Sequence, residues 1–319
     1  MKPPVIQGRV IGALQLAPDT ALSVIAKSLG IRSHSARYAL DRARKTGLVE
    51  RRYFINLFRL GYQQHEIFFS LSSEKRNDRK RLMSELTQHR AVSWMGTFGG
   101  EFQYGINICV KHQRDLINFL RTLSERYGQI FLEKQFAQRV SLVFYGNRYL
   151  LPRRGKQKTL EYSLDVTPST IDEVDNNILR HITQFGESST YDTARALGLP
   201  KSTVDYRMRG LRAAGIIVGS YLSVRSHRFG MLTYICLLSA KGISAEFEAS
   251  VERFCDEHPS VTILIRTIGS WDFELVLNVE SGQEILSLGE DLLEELGNFL
   301  QSYRMLPVFA YNKISEYPF

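Results

Sequence analysis

The sequence contains few of the residues that mark a special structural class. Its 319 residues include only 3 cysteines, 9 prolines and 2 tryptophans. Cys109, Cys236 and Cys255 are odd in number and far apart, which argues against a disulfide framework or a zinc cluster. We expect each of them to be a small buried apolar residue. Because prolines are few and the hydrophobic fraction is 44%, collagen-like and disordered chains are excluded.

Long apolar runs are also absent. The longest, such as residues 234–238, fall far short of the roughly 20 residues that a helix needs to cross a bilayer. Residues 1–9 lack the apolar core and the small-residue cleavage pattern of a signal peptide. We therefore expect a cytoplasmic protein without membrane contact.

Enzyme signatures are missing as well. There is no nucleophile elbow, P-loop, dinucleotide-binding glycine fingerprint or H-E-x-x-H helix, and the 7 histidines lack metal-ligand spacing. The sequence therefore predicts no catalytic residues, no metal and no cofactor.

The sequence does contain an internal repeat, at an offset of 168 to 171 residues. Residues 26–31 (AKSLGI) lie over residues 194–199 (ARALGL), and residues 47–49 (GLV) lie over residues 215–217 (GII). The register drifts by single residues further along, as loop insertions and deletions produce. The chain is therefore two related halves of about 150 residues each.

Each half predicts two domains of an α/β (α+β) fold. Its first 50 or so residues read as three short helices, a helix-turn-helix, and Ile216–Leu222 with its partner Leu48–Ile55 look like a short strand pair, a wing. The next 90 or so residues read in the ferredoxin-like order β-α-β-β-α-β. The predicted domains are a winged helix-turn-helix at 1–60, a ferredoxin-like effector domain at 61–150, a basic linker at 151–169, a second winged helix-turn-helix at 170–228 and a second ferredoxin-like domain at 229–319.

The third helix of each half has a basic outer face. Residues 32–52 contain seven basic residues against two acidic ones, and residues 200–212 contain four against one, within a total net charge of +8. A lone run of this kind is most often a solvated helix face, but both runs lie on the helix that such a motif inserts into the major groove. We therefore predict double-stranded DNA as the partner. The predicted contacts are Arg32, Ser33, His34, Ser35, Arg37, Tyr38, Arg42, Lys201, Ser202, Thr203, Tyr206, Arg207 and Arg209.

These residues resemble the leucine-responsive and asparagine-synthase (Lrp/AsnC) regulators, twice over. Residues 199–217 are similar to the family's recognition helix and its exit into the wing, and residues 269–272 (GSWD) look like its G-x-Y-D turn between two strands. The resemblance implies a DNA-binding transcriptional regulator that self-associates, with one chain equivalent to a family dimer. It also implies a small amino-acid effector, which Gly269, Trp271 and Asp272 would bind; a tight strand connection without a ligand is the alternative.

The two halves depart from the family pattern in different ways. Of the family's paired recognition-helix arginines, Arg207 keeps the first and Gly210 replaces the second, whereas Ala39 replaces the first and Arg42 keeps the second. The G-x-Y-D turn of the first half reads as residues 99–101 (GGE), one residue short and without the aromatic. We therefore expect at most one effector pocket per chain.

Two other functions remain open. Decarboxylases of sirohaem-type porphyrins resemble these regulators and sometimes carry the same pair of domains in tandem. His65, His89, His112 and His258 would then face a tetrapyrrole, although satisfied or solvated histidines are the better interpretation. The third function is a protein adaptor that has lost DNA binding.

Overall fold

The computed structural model describes residues 4–72, 75–151, 158–186 and 189–319, and it confirms two copies of the predicted pair of domains. The helices are α1 Val5–Leu14, α2 Leu22–Leu29, α3 Ser33–Lys45, α4 Arg76–Gln88, α5 Gln113–Tyr127, α6 Glu173–Phe185, α7 Thr190–Leu197, α8 Lys201–Ala213, α9 Ala245–Glu257 and α10 Gly282–Leu296. The strands are β1 Val49–Ile55, β2 Gln63–Leu71, β3 Val92–Phe98, β4 Tyr104–Val110, β5 Phe131–Phe144, β6 Leu160–Ser163, β7 Ile217–Val224, β8 Leu232–Ala240, β9 Val261–Gly269, β10 Phe273–Val279 and β11 Leu300–Ile314.

Local signals set the ends of the short helices. Ser189 and Asp192 form a capping box at the start of α7, which satisfies backbone N–H groups that would otherwise have no partner. Gly30 and Gly198 end α2 and α7 in the left-handed conformation that glycine adopts without strain. Asp172 caps α6, because its side chain accepts a hydrogen bond from the backbone N–H of Asp175.

The two winged helices are interlocked. Strand β1 of the first half pairs antiparallel with β7 of the second, from Val49 opposite Val224 to Ile55 opposite Ile217. The core under α1 and α3 includes Leu222 and Phe229 of the second half, while the core under α6 and α8 includes Tyr53 and Ile55 of the first. Each helix-turn-helix is therefore completed by the other half. Where the end of α6 meets β1, a Cβ on Gly186 would lie 1.9 Å from the backbone oxygen of Arg51. Only glycine fits at this position.

The two ferredoxin-like sheets close into one barrel. The strand order is β2-β4-β3-β11-β8-β10-β9-β5, and β5 pairs back onto β2. The joins between the halves are β3 with β11 and β5 with β9. Helices α4 and α5 cover the outer face of the first sheet, and α9 and α10 cover that of the second. The inner faces enclose a core that contains Phe68, Phe98, Phe102 and Trp271.

The predicted linker 151–169 contains a strand. Residues 152–157 lie outside the described residues, but β6 pairs with β5 from Leu160 opposite Phe144 to Ser163 opposite Ser141. The side chain of Leu160 is buried against Phe54 of β1, and the Tyr162 ring lies 5.1 Å from that of Phe54. The prediction of a basic linker missed this strand, because only its alternate residues are apolar. Through it, the winged helices are attached to the barrel.

All three cysteines are free and buried, as the sequence predicts. Burial raises the pKa of the Cys109 thiol to about 11. Over the described part of the chain, no helix has the length and apolarity to cross a membrane. The same residues contain no group of three side chains that suits a metal ion.

Candidate nucleic-acid interface

Helix α3 separates into an inner apolar face and an outer polar one. Ala36, Leu40 and Ala43 are buried at helical spacing against α1 and α2. The predicted contact residues lie outside this buried face. Ser35 is half-buried, and the others are exposed: Arg32, Ser33, His34, Arg37, Tyr38 and Arg42.

Helix α8 repeats the arrangement. Val204, Met208 and Leu211 are buried. Thr203 is half-buried at the start of the helix, and four other predicted residues are exposed: Lys201, Ser202, Tyr206 and Arg209.

One aromatic side chain stands at the same place on both helices. Tyr38 and Tyr206 occupy equivalent positions of the repeat, and each is 68% exposed. A large aromatic ring that is exposed on a helix gains no stability from burial. Packing in the core therefore does not explain why both copies have this ring. Tyrosine offers a hydroxyl and a ring face, which suit phosphate and base contacts.

Arg207 does not share the outward position that the sequence predicts for it. Its Nη1 lies 2.6 Å from Asp172 Oδ2 and 3.4 Å from Asp175 Oδ2, so the guanidinium ties α8 to the first turn of α6. The pKa of Asp172 is lowered by the backbone N–H of Asp175 and by Arg207. Lys201 is likewise paired with Asp205, whose pKa it lowers. Two of the predicted cations of α8 are therefore engaged within the chain.

The predicted effector residues sit in a tight strand connection. Trp271 is 1% exposed, with its ring 5.1 Å from that of Phe68 inside the barrel. Asp272 Oδ2 accepts a hydrogen bond of 2.7 Å from the backbone N–H of Ala240. Gly269 has a φ of 147°, and a Cβ there would lie 2.4 Å from the backbone oxygen of Phe136. Asp272 therefore makes a hydrogen bond within the fold, whereas the buried Trp271 Nε1 has no hydrogen-bond partner among the described residues.

The corresponding turn of the first half is complete, which corrects the prediction for residues 99–101. Gln103 Oε1 accepts from the Leu71 N–H at 3.2 Å, and the Gln103 N–H donates to Phe69 O at 3.1 Å. Asp272 makes the equivalent pair of bonds: its carboxylate accepts from the Ala240 N–H, and its backbone N–H donates to Leu238 O. Phe102 is fully buried in the same cluster as Trp271. The prediction used a register shifted by one residue: residues 100–103 match residues 269–272, with the aromatic present and glutamine in place of the acid.

The barrel interior holds a charged cluster that periodicity alone did not reveal. Arg139 Nε donates to Glu66 Oε1 at 3.1 Å, and its Nη1 donates to Gln64 at 3.2 Å and to Tyr162 at 3.3 Å. Burial alone would lower the pKa of Arg139, but the charge of Glu66 keeps it raised. Glu274 is 3% exposed beside this pair, and its pKa is raised by burial and by the Glu66 charge. The available signal was that Gln64 and Glu66 lie two residues apart on β2, on the same face of the strand as Phe68.

Two of the cavities in the described part of the chain lie in the first half. One, of about 460 Å³, lies between α1, α2 and the segment that follows β5, and Arg9, Arg148 and Lys158 are in its wall. The other, of about 130 Å³, is apolar and lies between the first sheet and α5. Neither cavity is lined by a histidine.

Of the four histidines considered for a tetrapyrrole, three make contacts within the fold or face solvent, and the fourth, His65, has a buried Nε2 with no hydrogen-bond partner among the described residues. His65 is buried, and burial lowers its pKa. His89 Nδ1 accepts from the Ala91 N–H, and the His258 ring stacks on Phe254 at 4.0 Å with Nε2 3.5 Å from Asp291. His112 is exposed at the start of α5.

Comparison with known sequences finds regulators of about half this length. No protein-family model matches the chain. The HTH-type transcriptional regulator FL11 of Pyrococcus horikoshii is 20% identical over 150 residues, which are 46% of this chain and 96% of the relative. An uncharacterized HTH-type transcriptional regulator of the same organism is 24% identical over 140 residues, 44% of this chain and 93% of the relative.

Comparison of structures finds one fold over the whole chain. The siroheme decarboxylase NirDL, in complex with an iron-uroporphyrin III analogue, superposes with a TM-score of 0.63 at 14% identity, covering 99% of this chain and 95% of that one. AsnC of Escherichia coli covers 44% of this chain and 94% of its own, with a TM-score of 0.37 at 20% identity. The chain is thus similar in sequence, over about half of its length, to HTH-type transcriptional regulators, and it shares the fold of NirDL over nearly all of its length.

Proposed function

We propose that this protein is a sequence-specific, double-stranded DNA-binding transcriptional regulator. The observation that carries the proposal is the matched pair of recognition helices, in which Tyr38 and Tyr206 are equally exposed above intact apolar cores. A helix-turn-helix that no longer needed its outer face would be free to lose that aromatic in one copy.

Different residues would supply affinity and specificity. Arg37 and Arg42 of α3 and Arg209 of α8 are exposed and can neutralise phosphates. Residues at the N-terminal ends of the two helices reach furthest into a major groove. The base-reading set is therefore Ser33, His34, Ser35 and Tyr38 in the first half and Ser202, Thr203 and Tyr206 in the second.

The shared β1–β7 sheet fixes how the two helices are presented. Because each winged helix is completed by the other half, their spacing is set within one chain. The helices differ at most outward positions, such as Arg37 against Asp205 and His34 against Ser202. A single chain should therefore bind an asymmetric site with two unlike half-sites.

Selection of bound duplexes from a random pool tests this function. We expect one enriched motif with two different half-sites at constant spacing. A perfect inverted repeat bound by one chain would contradict the asymmetry. Absence of salt-dependent duplex binding would contradict the regulator itself and favour a protein adaptor.

Decarboxylation of a sirohaem-type porphyrin is the second candidate, and the whole-chain likeness to NirDL is the observation that favours it. Against it, the two described cavities have no histidine in their walls. Titration with sirohaem, followed by the Soret band, separates the two functions. A saturable shift at one ligand per chain would favour the enzyme, and an unchanged spectrum together with duplex binding would favour the regulator.

A further inference from the structure

The cavity beside the first helix-turn-helix has both cationic and apolar residues in its wall. Its volume of about 460 Å³ is within the usual range for small-molecule sites. Arg9, Arg148 and Lys158 are in its wall, which contains no Asp or Glu among the described residues. Most of the other lining residues are apolar, among them Ala13, Leu16 and Leu151, and the polar ones are Gln15, Ser28 and Asn147.

The cations of this wall are held in place by hydrogen bonds that do not neutralise them. Arg148 donates to the backbone oxygens of Asp256 at 2.9 Å and His258 at 2.8 Å, which caps the end of α9. Arg9 Nη2 donates to Leu29 O at 3.3 Å, and Arg9 Nε is buried without a hydrogen-bond partner in the described part of the chain. An unpaired buried N–H is costly, so its presence at the wall points to a missing acceptor.

The two halves differ in which residues pack against their first helix, which is α1 in the first half and α6 in the second. In the second half, Tyr317 donates from its hydroxyl to Asn176 at 2.6 Å and Phe319 O accepts from Arg180 at 3.0 Å, so aromatic residues pack against α6. In the first half, Gly8 and Gly12 of α1 face Leu150 instead, and the cavity lies beside that residue.

We infer that this cavity binds a small organic carboxylate with an apolar body. Three cations in the wall favour an anion, and the apolar residues of the same wall favour a hydrocarbon body over inorganic phosphate. The ammonium of an α-amino acid would be repelled by the same cations, so the ligand differs in class from the effector that the family resemblance implies. On the proposed DNA-binding function, the ligand would act on the first recognition helix, because α1 and α2 support α3.

Binding is tested without DNA, using the fluorescent anion 8-anilinonaphthalene-1-sulfonate as the probe. We expect one saturable site per chain that octanoate displaces at concentrations at least about tenfold lower than 2-aminooctanoate does. The variant Arg9→Met/Lys158→Met should weaken dye binding by about tenfold or more, since it removes two charge-assisted hydrogen-bond donors. The control Lys80→Met/Arg121→Met removes two exposed cations of α4 and α5 and should bind like the wild type.

A second variant fills the cavity without changing its charge. Ala13→Phe should abolish the displaceable signal while thermal unfolding remains cooperative. Equal dye affinity in Arg9→Met/Lys158→Met and its control, no displacement by octanoate, or displacement by 2-aminooctanoate at equal concentration would each overturn the inference. Because no duplex is present, failure here is distinct from failure of the regulator. If dye and duplex both bind, octanoate should change duplex affinity in the wild type and not in Ala13→Phe.

Discussion

The two recognition helices have the same fold but use their cations differently. On α3, Arg37 and Arg42 are exposed on the outer face. On α8, Arg207 bridges to Asp172 and Asp175, and Lys201 pairs with Asp205. Charge counted along a sequence therefore overstates what the second helix offers to DNA. On the proposed function, we expect the first half to contribute more of the electrostatic affinity for DNA and the second to contribute through Tyr206, its neighbours and Arg209.

The largest expected effect is on the salt dependence of DNA binding. Arg37→Ala/Arg42→Ala should reduce the log–log slope of affinity against salt by about 0.9 for each phosphate that the variant no longer neutralises. Fluorescence anisotropy on the selected duplex, across a salt series, measures it. Lys80→Ala/Arg121→Ala is the control of equal charge on a distant surface. An equal reduction in the control would mean that only net charge matters.

The barrel gives the next comparison, since Glu274 occupies the place that Gly105 has in the first half. Burial and the Glu66 charge raise the pKa of Glu274, so the folded state binds a proton that the unfolded state releases. The free energy of unfolding should therefore fall as pH rises above the ordinary carboxyl pKa, by at most about 1.4 kcal/mol per pH unit.

Glu274→Gln should remove that dependence, because the amide keeps the shape and cannot ionise. Urea unfolding between pH 4.5 and 8 measures it, and Glu133→Gln on the exposed face of β5 is the control. Parallel pH profiles for the wild type and Glu274→Gln would show that the buried carboxyl does not titrate in this way.

A smaller effect separates the two arginines of α8. Arg207→Ala should lower the melting temperature while leaving the salt slope nearly unchanged, because its partners are Asp172 and Asp175. Arg209→Ala should do the reverse, since Arg209 is exposed on the outer face. Calorimetry and the same anisotropy series distinguish them. If Arg207→Ala reduced the slope as much as Arg209→Ala, the ion pair would have to open on DNA.

Periodicity and turn residues were sufficient to predict most of the fold. The order β-α-β-β-α-β in each half agrees with the prediction, because these strands and helices have regular apolar patterns ended by turn or capping residues. Strand β6 and the crossed cores were missed, since both depend on packing between residues that are far apart in the sequence, such as Leu160 with Phe54 and Leu222 with Leu40. Sequence spacing also gave Arg207 an outward position, because the acids that hold it lie on another helix.

The smallest expected effect concerns the turn that the two halves share. Asp272 and Gln103 make the same hydrogen bond to a strand N–H, one with a carboxylate and the other with an amide oxygen. Asp272→Asn keeps an acceptor and should change the free energy of unfolding by less than about 0.5 kcal/mol, whereas Asp272→Ala should cost about 1 kcal/mol. Urea unfolding measures both.

If Asp272 instead holds the ammonium of an amino-acid effector, Asp272→Asn should also abolish ligand binding in calorimetry with an amino-acid mixture. A ligand response that persists in both variants would exclude this turn as the effector site, while a large loss of stability in Asp272→Asn would show that the charge, absent from Gln103, matters in the second half.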